Sequence, residues 1–126
     1  MNSKDLKIYG FKVWTPLDEQ MIRSLPPEHG VYVMRLNRVF GRLKGESDIL
    51  YVGSTDDLRQ RIVNNYWRGR GGRTTKRIHN YLFKRNYLSQ VEVSWVVCQS
   101  PKNLEAKILE RYENEHHELP PWNRQK

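Results

Sequence analysis

The turn on which the fold depends lies in two consecutive stretches, Ile49–Gly53 (ILYVG) and Ser54–Tyr66 (STDDLRQRIVNNY). The four leading apolar and aromatic residues predict a short strand, which the glycine ends. Thr55 is predicted to cap the helix that follows, because Asp56 and Asp57 favour the positive end of a helix dipole. Apolar residues then recur at helical spacing. We therefore expect strand, turn and helix in succession, with one face of the helix turned to the core.

The flanking sequence adds further elements in both directions. Two more strands are predicted at 31–36 and 91–97, where β-branched residues are frequent. Helices are predicted at 74–84 and from Ser100 to about His116, where apolar residues follow helical spacing. Residues 7–14 are interpreted as an edge strand or an ordered arm, residues 15–17 as the start of another helix, and residues 37–48 as a long connection.

These elements define the expected fold class. We expect a small single α+β domain, with a three-stranded, mostly antiparallel sheet flanked by helices. Residues 1–24 would form an N-terminal arm or strand with a short helix, and residues 25–126 the main domain, in one compact unit.

Composition narrows the class of protein. The chain has 126 residues and one cysteine, Cys98, so we expect one domain without an internal disulfide framework or a cysteine-based zinc site. No segment has about 18 uninterrupted apolar residues, and the first residues lack the apolar core of a secretory signal. We expect a protein of the cytoplasm, nucleus or nucleoid that is neither secreted nor bound to a membrane.

Positive charge is concentrated in the middle of the chain. The formal net charge is +8, and residues 55–90 hold nine basic and two acidic groups, a net +7. Aromatic residues alternate with these basic groups, a pattern typical of nucleic-acid binding. The predicted contact residues are Arg59, Trp67, Arg68, Arg70, Arg73, Lys76, Arg77, His79, Lys84 and Arg85.

Four polar residues occupy positions that packing alone would not select. Tyr32 and Tyr51 are on predicted strands beside glycine-bearing turns, Arg61 is on the helix after the sheet, and Glu110 is on the last helix. A phosphodiester hydrolase needs such a set. One group handles the proton of water, a cation stabilises the phosphoryl oxygens, and a carboxylate holds a divalent metal.

Several motifs together resemble the GIY-YIG nuclease family. They are Gly30-Val31-Tyr32, Tyr51-Val52-Gly53 with the following 54–61, Glu105–Glu110 and Pro120-Pro121-Trp122-Asn123. The resemblance covers about residues 25–123. Each tripeptide alone is weak evidence for the family, whereas the ordered set of motifs is specific to it.

The resemblance implies a role for each matching residue. Tyr32 and Tyr51 would line the site, and one of them would activate or position water. Arg61 would grip the scissile phosphate, and Glu110 would be the single protein ligand of Mg²⁺ or Mn²⁺. Asn123 would support the site from the C-terminal end, and Gly53 would allow close packing of the turn against the first helix. The implied activity is metal-dependent endonucleolytic hydrolysis of DNA, with RNA as an open alternative.

Three departures from the family pattern leave questions open. The connection at 37–48 is longer than usual and is interpreted as an added substrate-contacting loop. Ser54 stands where one branch often has lysine. Asn65 stands one turn after the arginine, where members often carry His or Tyr, so the base would be Tyr32, Tyr66 or another group. A catalytically inactive nucleic-acid-binding module and a small basic scaffold are the two rival interpretations. A homodimer or a partner protein would supply specificity.

Overall fold

The computed structural model describes residues 1–124. Short 3₁₀-helices span Ser3–Tyr9 and Leu88–Gln90, and a π-helix spans Arg61–Trp67. The strands are β1 (Thr15–Pro16), β2 (Gly30–Gly41), β3 (Glu46–Thr55) and β4 (Val91–Val97). The α-helices are α1 (Glu19–Ser24), α2 (Leu58–Gln60), α3 (Arg73–Phe83) and α4 (Pro101–His116). The predictions of α3, β4 and α4 agree with these bounds to within one residue.

The α+β class with an antiparallel sheet is confirmed, but the sheet has four strands, in the order β1-β4-β2-β3. The additional strand is β1, in which Thr15 pairs with Val93 of β4. The prediction that a helix starts at Thr15 is wrong. The helix starts later because the side chain of Asp18 accepts a hydrogen bond from the backbone N of Met21 at 2.9 Å. The first three residues of the segment 7–14, interpreted as an edge strand or arm, belong to the 3₁₀-helix Ser3–Tyr9.

The connection predicted at 37–48 is in fact the outer half of a long hairpin. Strand β2 continues to Gly41 and β3 begins at Glu46, so only four residues form the turn, with Gly45 at φ +73°. The turn is fastened to the end of α4 because Arg42 forms an ion pair with Glu118 at 3.1 Å. It is therefore a supported projection of the sheet.

Both faces of the sheet are covered, and each holds its own apolar core. Val31 and Val33 of β2 pack with Ile108 and Leu109 of α4 on one face. Tyr32 and the alternate residues face the other way, toward the helices between 19 and 83. This alternation is the period-two pattern predicted for β2.

Two smaller predictions are also settled by the structure. The first helix after the sheet is capped by Asp57 and not by Thr55, since the Asp57 side chain accepts from the backbone N of Gln60 at 2.9 Å. None of the helices in residues 1–124 has the length and apolar character that crossing a bilayer requires.

Candidate active site

A β-bulge turns Tyr51 toward the helices of the second face. Met34 of β2 pairs with Tyr51, but the next residue, Arg35, pairs with Ile49, so Leu50 is an extra residue in β3. As a result Leu50 and Tyr51, although adjacent, both join the core on the face of Tyr32. Bulges commonly re-aim side chains beside functional sites.

Three tyrosines meet beneath this face. The ring centroids of Tyr32 and Tyr51 are 6.0 Å apart, those of Tyr32 and Tyr66 are 5.7 Å apart, and those of Tyr51 and Tyr66 are 6.4 Å apart. The hydroxyls of Tyr32 and Tyr66 are 2.7 Å apart and share a hydrogen bond. Tyr32 and Tyr66 are fully buried, whereas Tyr51 is 9% exposed. Of the three, Tyr51 is the side chain that reaches the surface.

The π-helix explains how Tyr66 reaches this cluster. Its backbone pattern is visible in the bond from the N of Arg68 to the carbonyl of Val63, five residues earlier, at 3.0 Å. A helix of this kind holds one more residue per turn than the α-helical pattern, and such turns are frequent at functional sites. One turn after Arg61 therefore leads to Tyr66. The Nδ1–H of His79 donates to the carbonyl of Tyr66 at 2.6 Å.

Burial keeps two of the tyrosines protonated. Desolvation raises the pKa of Tyr32, and the neighbouring Tyr51 adds to the rise, while Arg61 opposes it. Desolvation also raises the pKa of Tyr66 well above its ordinary value, with Tyr32 and Tyr51 adding to it. Both groups are neutral phenols at neutral pH, and each can donate and accept hydrogen bonds.

Arg61 lies between the tyrosines and the surface. Its side chain is half-buried, and it lines an open cleft of about 440 Å³. The other lining residues are Ser54, Thr55, Asp56, Ser100, Pro101, Lys102 and Asn103. Burial opposes the charge of Arg61, but Tyr32 and Tyr66 outweigh it and raise the pKa of the guanidinium. The cleft thus has a permanent positive charge on its wall.

Two acidic residues belong to this region, namely Asp56 in the wall of the cleft and Glu105, which is bonded to the wall residue Ser54. The hydroxyl of Ser54 donates to Oε1 of Glu105 at 3.0 Å. Burial raises the pKa of Glu105, while the Ser54 hydrogen bond and the charges of Arg61 and Lys102 lower it. Glu105 is therefore a half-buried carboxylate within the electrostatic reach of Arg61.

Glu110 does not share that position. It follows Glu105 by five residues, which turns it by about 140° around α4 and moves it by roughly 7.5 Å along the axis. Its side chain is exposed. The assignment of Glu110 as the metal ligand stays a prediction, and at this level the inward face of α4 carries Glu105.

Gly53 and Asn123 support the site through close contacts. A Cβ at Gly53 would lie 2.5 Å from the hydroxyl oxygen of Tyr32 and 2.8 Å from the ring of Tyr51. The tight packing that this glycine permits is thus against the tyrosine rings. The Asn123 amide pairs with the backbone of Val52, accepting from its N and donating to its carbonyl, each at 3.0 Å. The Asn123 side chain thus extends the hydrogen bonding of β3 next to Tyr51.

The basic residues of the middle segment fall into two groups. Four have contacts within the fold: Arg59 donates to the carbonyl of Leu25 at 2.9 Å, Arg77 donates to the carbonyl of Trp122, His79 is bonded as above, and Trp67 packs on Phe83. The other six are exposed, namely Arg68, Arg70, Arg73, Lys76, Lys84 and Arg85, and Arg59 is exposed as well. These six define the basic surface, which follows the loop 68–72 and α3.

Comparison with known proteins identifies the family. A profile described as the GIY-YIG catalytic domain matches residues 28–119. The chain belongs to the GIY-YIG family. No curated protein was found to match it.

Solved structures confirm the same fold. A Tyr-to-Phe point mutant of the GIY-YIG N-terminal endonuclease domain of UvrC from Thermotoga maritima, bound to its catalytic divalent cation, aligns with a TM-score of 0.52 and 19% identity. The alignment covers 84% of this chain and 93% of that one. The same domain bound to magnesium aligns with a TM-score of 0.51 and 20% identity, covering 82% and 92%.

Proposed function

We propose that the protein is a metal-dependent endonuclease that hydrolyses phosphodiester bonds in DNA. The observation that carries this proposal is the position of Arg61, which lies against the three tyrosines and lines an open cleft together with Ser54, the hydrogen-bond partner of Glu105. These groups can supply phosphate binding, metal binding and control of a water proton. Membership of a family defined by its catalytic domain supports the same activity.

Arg61 is assigned to the scissile phosphate. A guanidinium offers five N–H donors in a planar fork and retains its charge, which suits a phosphate in both the ground state and the transition state. The cleft is open, so a phosphate of a bound strand can reach Arg61 without rearrangement of the wall. We expect the charge of Arg61 to offset the negative charge that grows on the phosphoryl oxygens.

We assign Mg²⁺ or Mn²⁺ to Glu105, and Glu110, which the sequence motif indicates, is the alternative ligand. Mg²⁺ is commonly held by one or two carboxylates, with substrate phosphate and water completing the shell. Within residues 1–124, no group of three or more His, Cys, Asp and Glu side chains could share an ion, so a one-carboxylate arrangement fits the chain. The bound ion would act as a Lewis acid on the phosphate. Ser54 orients the carboxylate through a hydrogen bond from its hydroxyl and another from its backbone.

Tyr51 is assigned to the attacking water. It is the one member of the trio that retains any exposed surface, 9%, whereas Tyr32 and Tyr66 are fully buried and their hydroxyls bond to each other. The Tyr51 hydroxyl would accept a hydrogen bond from water and hold it for attack. Tyr32 and Tyr66 would support the positions of Tyr51 and Arg61, and Gly53 and Asn123 would maintain the packing beneath them.

The basic surface is assigned to the nucleic-acid backbone. Its six exposed cations lie on the loop and helix that follow the π-helix, so a strand that reaches Arg61 can continue over them. Arg59, Trp67, Arg77 and His79, whose contacts lie within the fold, would add to it from its edge. Sequence preference would come from the hairpin turn at 42–45, a second copy of the chain or a partner protein. A DNA substrate would place the protein in the cytoplasm or nucleoid.

A catalytically inactive binding module is the second candidate. Asn65 favoured it in the sequence, because a His or Tyr is common one turn after the arginine. Tyr66 occupies the place of that side chain beside Tyr32, which weakens the argument.

The test is cleavage of supercoiled plasmid and of duplex, branched and single-stranded DNA and RNA, with Mg²⁺ or Mn²⁺ against a chelator. We expect metal-dependent cutting of DNA. Salt-dependent binding without cutting on any substrate would favour the inactive module, and the absence of binding would favour the basic scaffold.

A further inference from the structure

Asn65 lies between Arg61 and the glycine-rich loop at 68–72. With the amide oriented to satisfy both neighbours, its oxygen accepts from Nε of Arg61 at 3.2 Å and its nitrogen donates to the carbonyl of Arg70 at 3.2 Å. Asn65 and Arg61 also line a second, smaller cleft of about 210 Å³. One half-buried side chain thus joins the phosphate-binding candidate to the basic loop.

The loop is packed tightly against this side chain. The backbone N of Arg70 donates to the carbonyl of Asn64 at 3.0 Å. Gly71 has φ +119°, and a Cβ there would lie 3.0 Å from Asn65 and 2.5 Å from the hydroxyl of Thr75. Only glycine accommodates this conformation and this approach without strain. The position of the loop and the orientation of the Asn65 amide therefore depend on each other.

The contact with Nε also orients the guanidinium. Arginine has five N–H donors, and the bond to Asn65 uses the one on Nε. One terminal N–H group is engaged by the hydrogen bond with Tyr32, and the other terminal N–H groups remain for the cleft that Arg61 lines. A guanidinium held in this way loses less freedom when it binds a phosphate.

We propose that Asn65 is a positioning residue that couples the basic loop to Arg61. Nucleic acid bound by Arg68 and Arg70 holds the loop against Asn65, and Asn65 then fixes the guanidinium for the scissile phosphate. This proposal rests on the proposed nuclease function. It assigns a purpose to the residue that departs from the family pattern, and it links substrate binding outside the cleft to the chemistry within it.

The first test compares Asn65→Leu with Asn64→Leu, the matched change at the neighbouring position. Loss of the bond to a charged group predicts a fall in kcat of about tenfold or more for Asn65→Leu, with the DNA dissociation constant within about twofold. Asn64→Leu should retain wild-type kcat. Asn65→Gln, which keeps both amide groups, should recover part of the loss. Equal kcat in Asn65→Leu and the wild type would overturn the proposal.

The second test examines the loop. Gly71→Ala should displace it from Asn65 and lower kcat, whereas Gly72→Ala, whose Cβ would meet nothing within 4 Å, should not. In the double variant of Gly71→Ala and Asn65→Leu, the loss should be no greater than the larger single loss, because both changes break one connection. Fully additive losses would show two independent effects and would contradict the coupling.

A third measurement separates this proposal from the nuclease assignment. NMR of the full chain should show slow solvent exchange of the Nε–H of Arg61 in the wild type and faster exchange in Asn65→Leu. This readout does not require cleavage. If the wild type cuts no substrate, the proposed function fails, but the exchange rates still show whether Asn65 is hydrogen-bonded to Nε of Arg61. Unchanged exchange in Asn65→Leu would overturn the positioning role.

Discussion

Tyr51 differs from Tyr32 and Tyr66 in its access to solvent, and this difference decides the expected division of labour. We expect Tyr51→Phe to lower kcat by about a hundredfold, the lower range for loss of a group that handles a proton. Tyr32→Phe should cause a smaller loss, since its hydroxyl bonds to Tyr66 away from water. Single-turnover cleavage rates measure both. A larger loss in Tyr32→Phe would reverse the assignment.

The buried tyrosine pair should make the protein sensitive to alkaline pH. The pKa of Tyr32 and that of Tyr66 are raised in the folded state above the ordinary value of 10.0. Above pH 10 the unfolded chain loses these protons while the folded chain keeps them, so the free energy of unfolding falls as pH rises. Each such group contributes about 1.4 kcal/mol per pH unit.

Tyr32→Phe tests this linkage because it removes one of the two protons. Denaturant unfolding between pH 10 and pH 11.5 should show a shallower loss of stability in the variant than in the wild type. Identical slopes would mean that Tyr32 ionises at the same pH in the folded and unfolded states.

The choice between Glu105 and Glu110 was available from the sequence. The predicted stripe of the last helix includes Ile108 and Leu109, and Glu105 precedes them by three and four residues, so it shares their face. Glu110 is turned by about 100° to 200° from the same two residues. The motif thus indicates the second glutamate and the helical spacing indicates the first, and the choice between them stays a prediction.

Two irregular backbone elements form the site, and the sequence does not reveal them. The bulge at Leu50 brings Tyr51 to the face of Tyr32, and the π-helix brings Tyr66 to the turn after Arg61. Period-two and α-helical patterns assume regular elements, so each misses a one-residue insertion. The regular elements α3, β4 and α4 were predictable because their apolar spacing is unbroken.

Gly53 gives a test at the level of the β2–β3 pair. Gly53→Ala would place a Cβ 2.5 Å from the Tyr32 hydroxyl oxygen. We expect it to lower the free energy of unfolding by about 1 to 3 kcal/mol, as overpacking does, and to reduce cleavage by displacing the tyrosine rings. Urea unfolding measures the first effect.

Gly41→Ala is the matched control in the same hairpin, because a Cβ there would meet nothing within 4 Å. We expect its stability to remain within about 0.5 kcal/mol of the wild type. Equal stability of the two variants would show that the Gly53 contact relaxes without cost.

Across the whole molecule, the positive charge is concentrated on one part of the surface. The net +8 charge is concentrated in residues 55–90, and six exposed cations there form the basic surface beside the cleft. The charge count predicted this segment, but it did not show that Arg59 and Arg77 are hydrogen-bonded within the fold. Those two donate to backbone carbonyls, a distinction that depends on packing.

Salt dependence tests the basic surface as a unit. The double variant of Arg73→Ala and Lys76→Ala removes two exposed cations of α3. It should reduce the slope of log Kd against log salt by about 1.8, if each cation meets one phosphate. Lys7→Ala, an exposed cation on the N-terminal 3₁₀-helix, should leave the slope unchanged. An unchanged slope in the double variant would place the DNA elsewhere.

The most direct test of the account compares Glu105→Gln with Glu110→Gln in a plasmid cleavage assay with Mg²⁺ and with Mn²⁺. The two variants make the same change five residues apart on α4, and circular dichroism should show both folded. We predict that Glu105→Gln loses cleavage by at least about a hundredfold while DNA binding persists, and that Glu110→Gln cuts as the wild type does. Cleavage lost in Glu110→Gln and retained in Glu105→Gln would contradict the site described here.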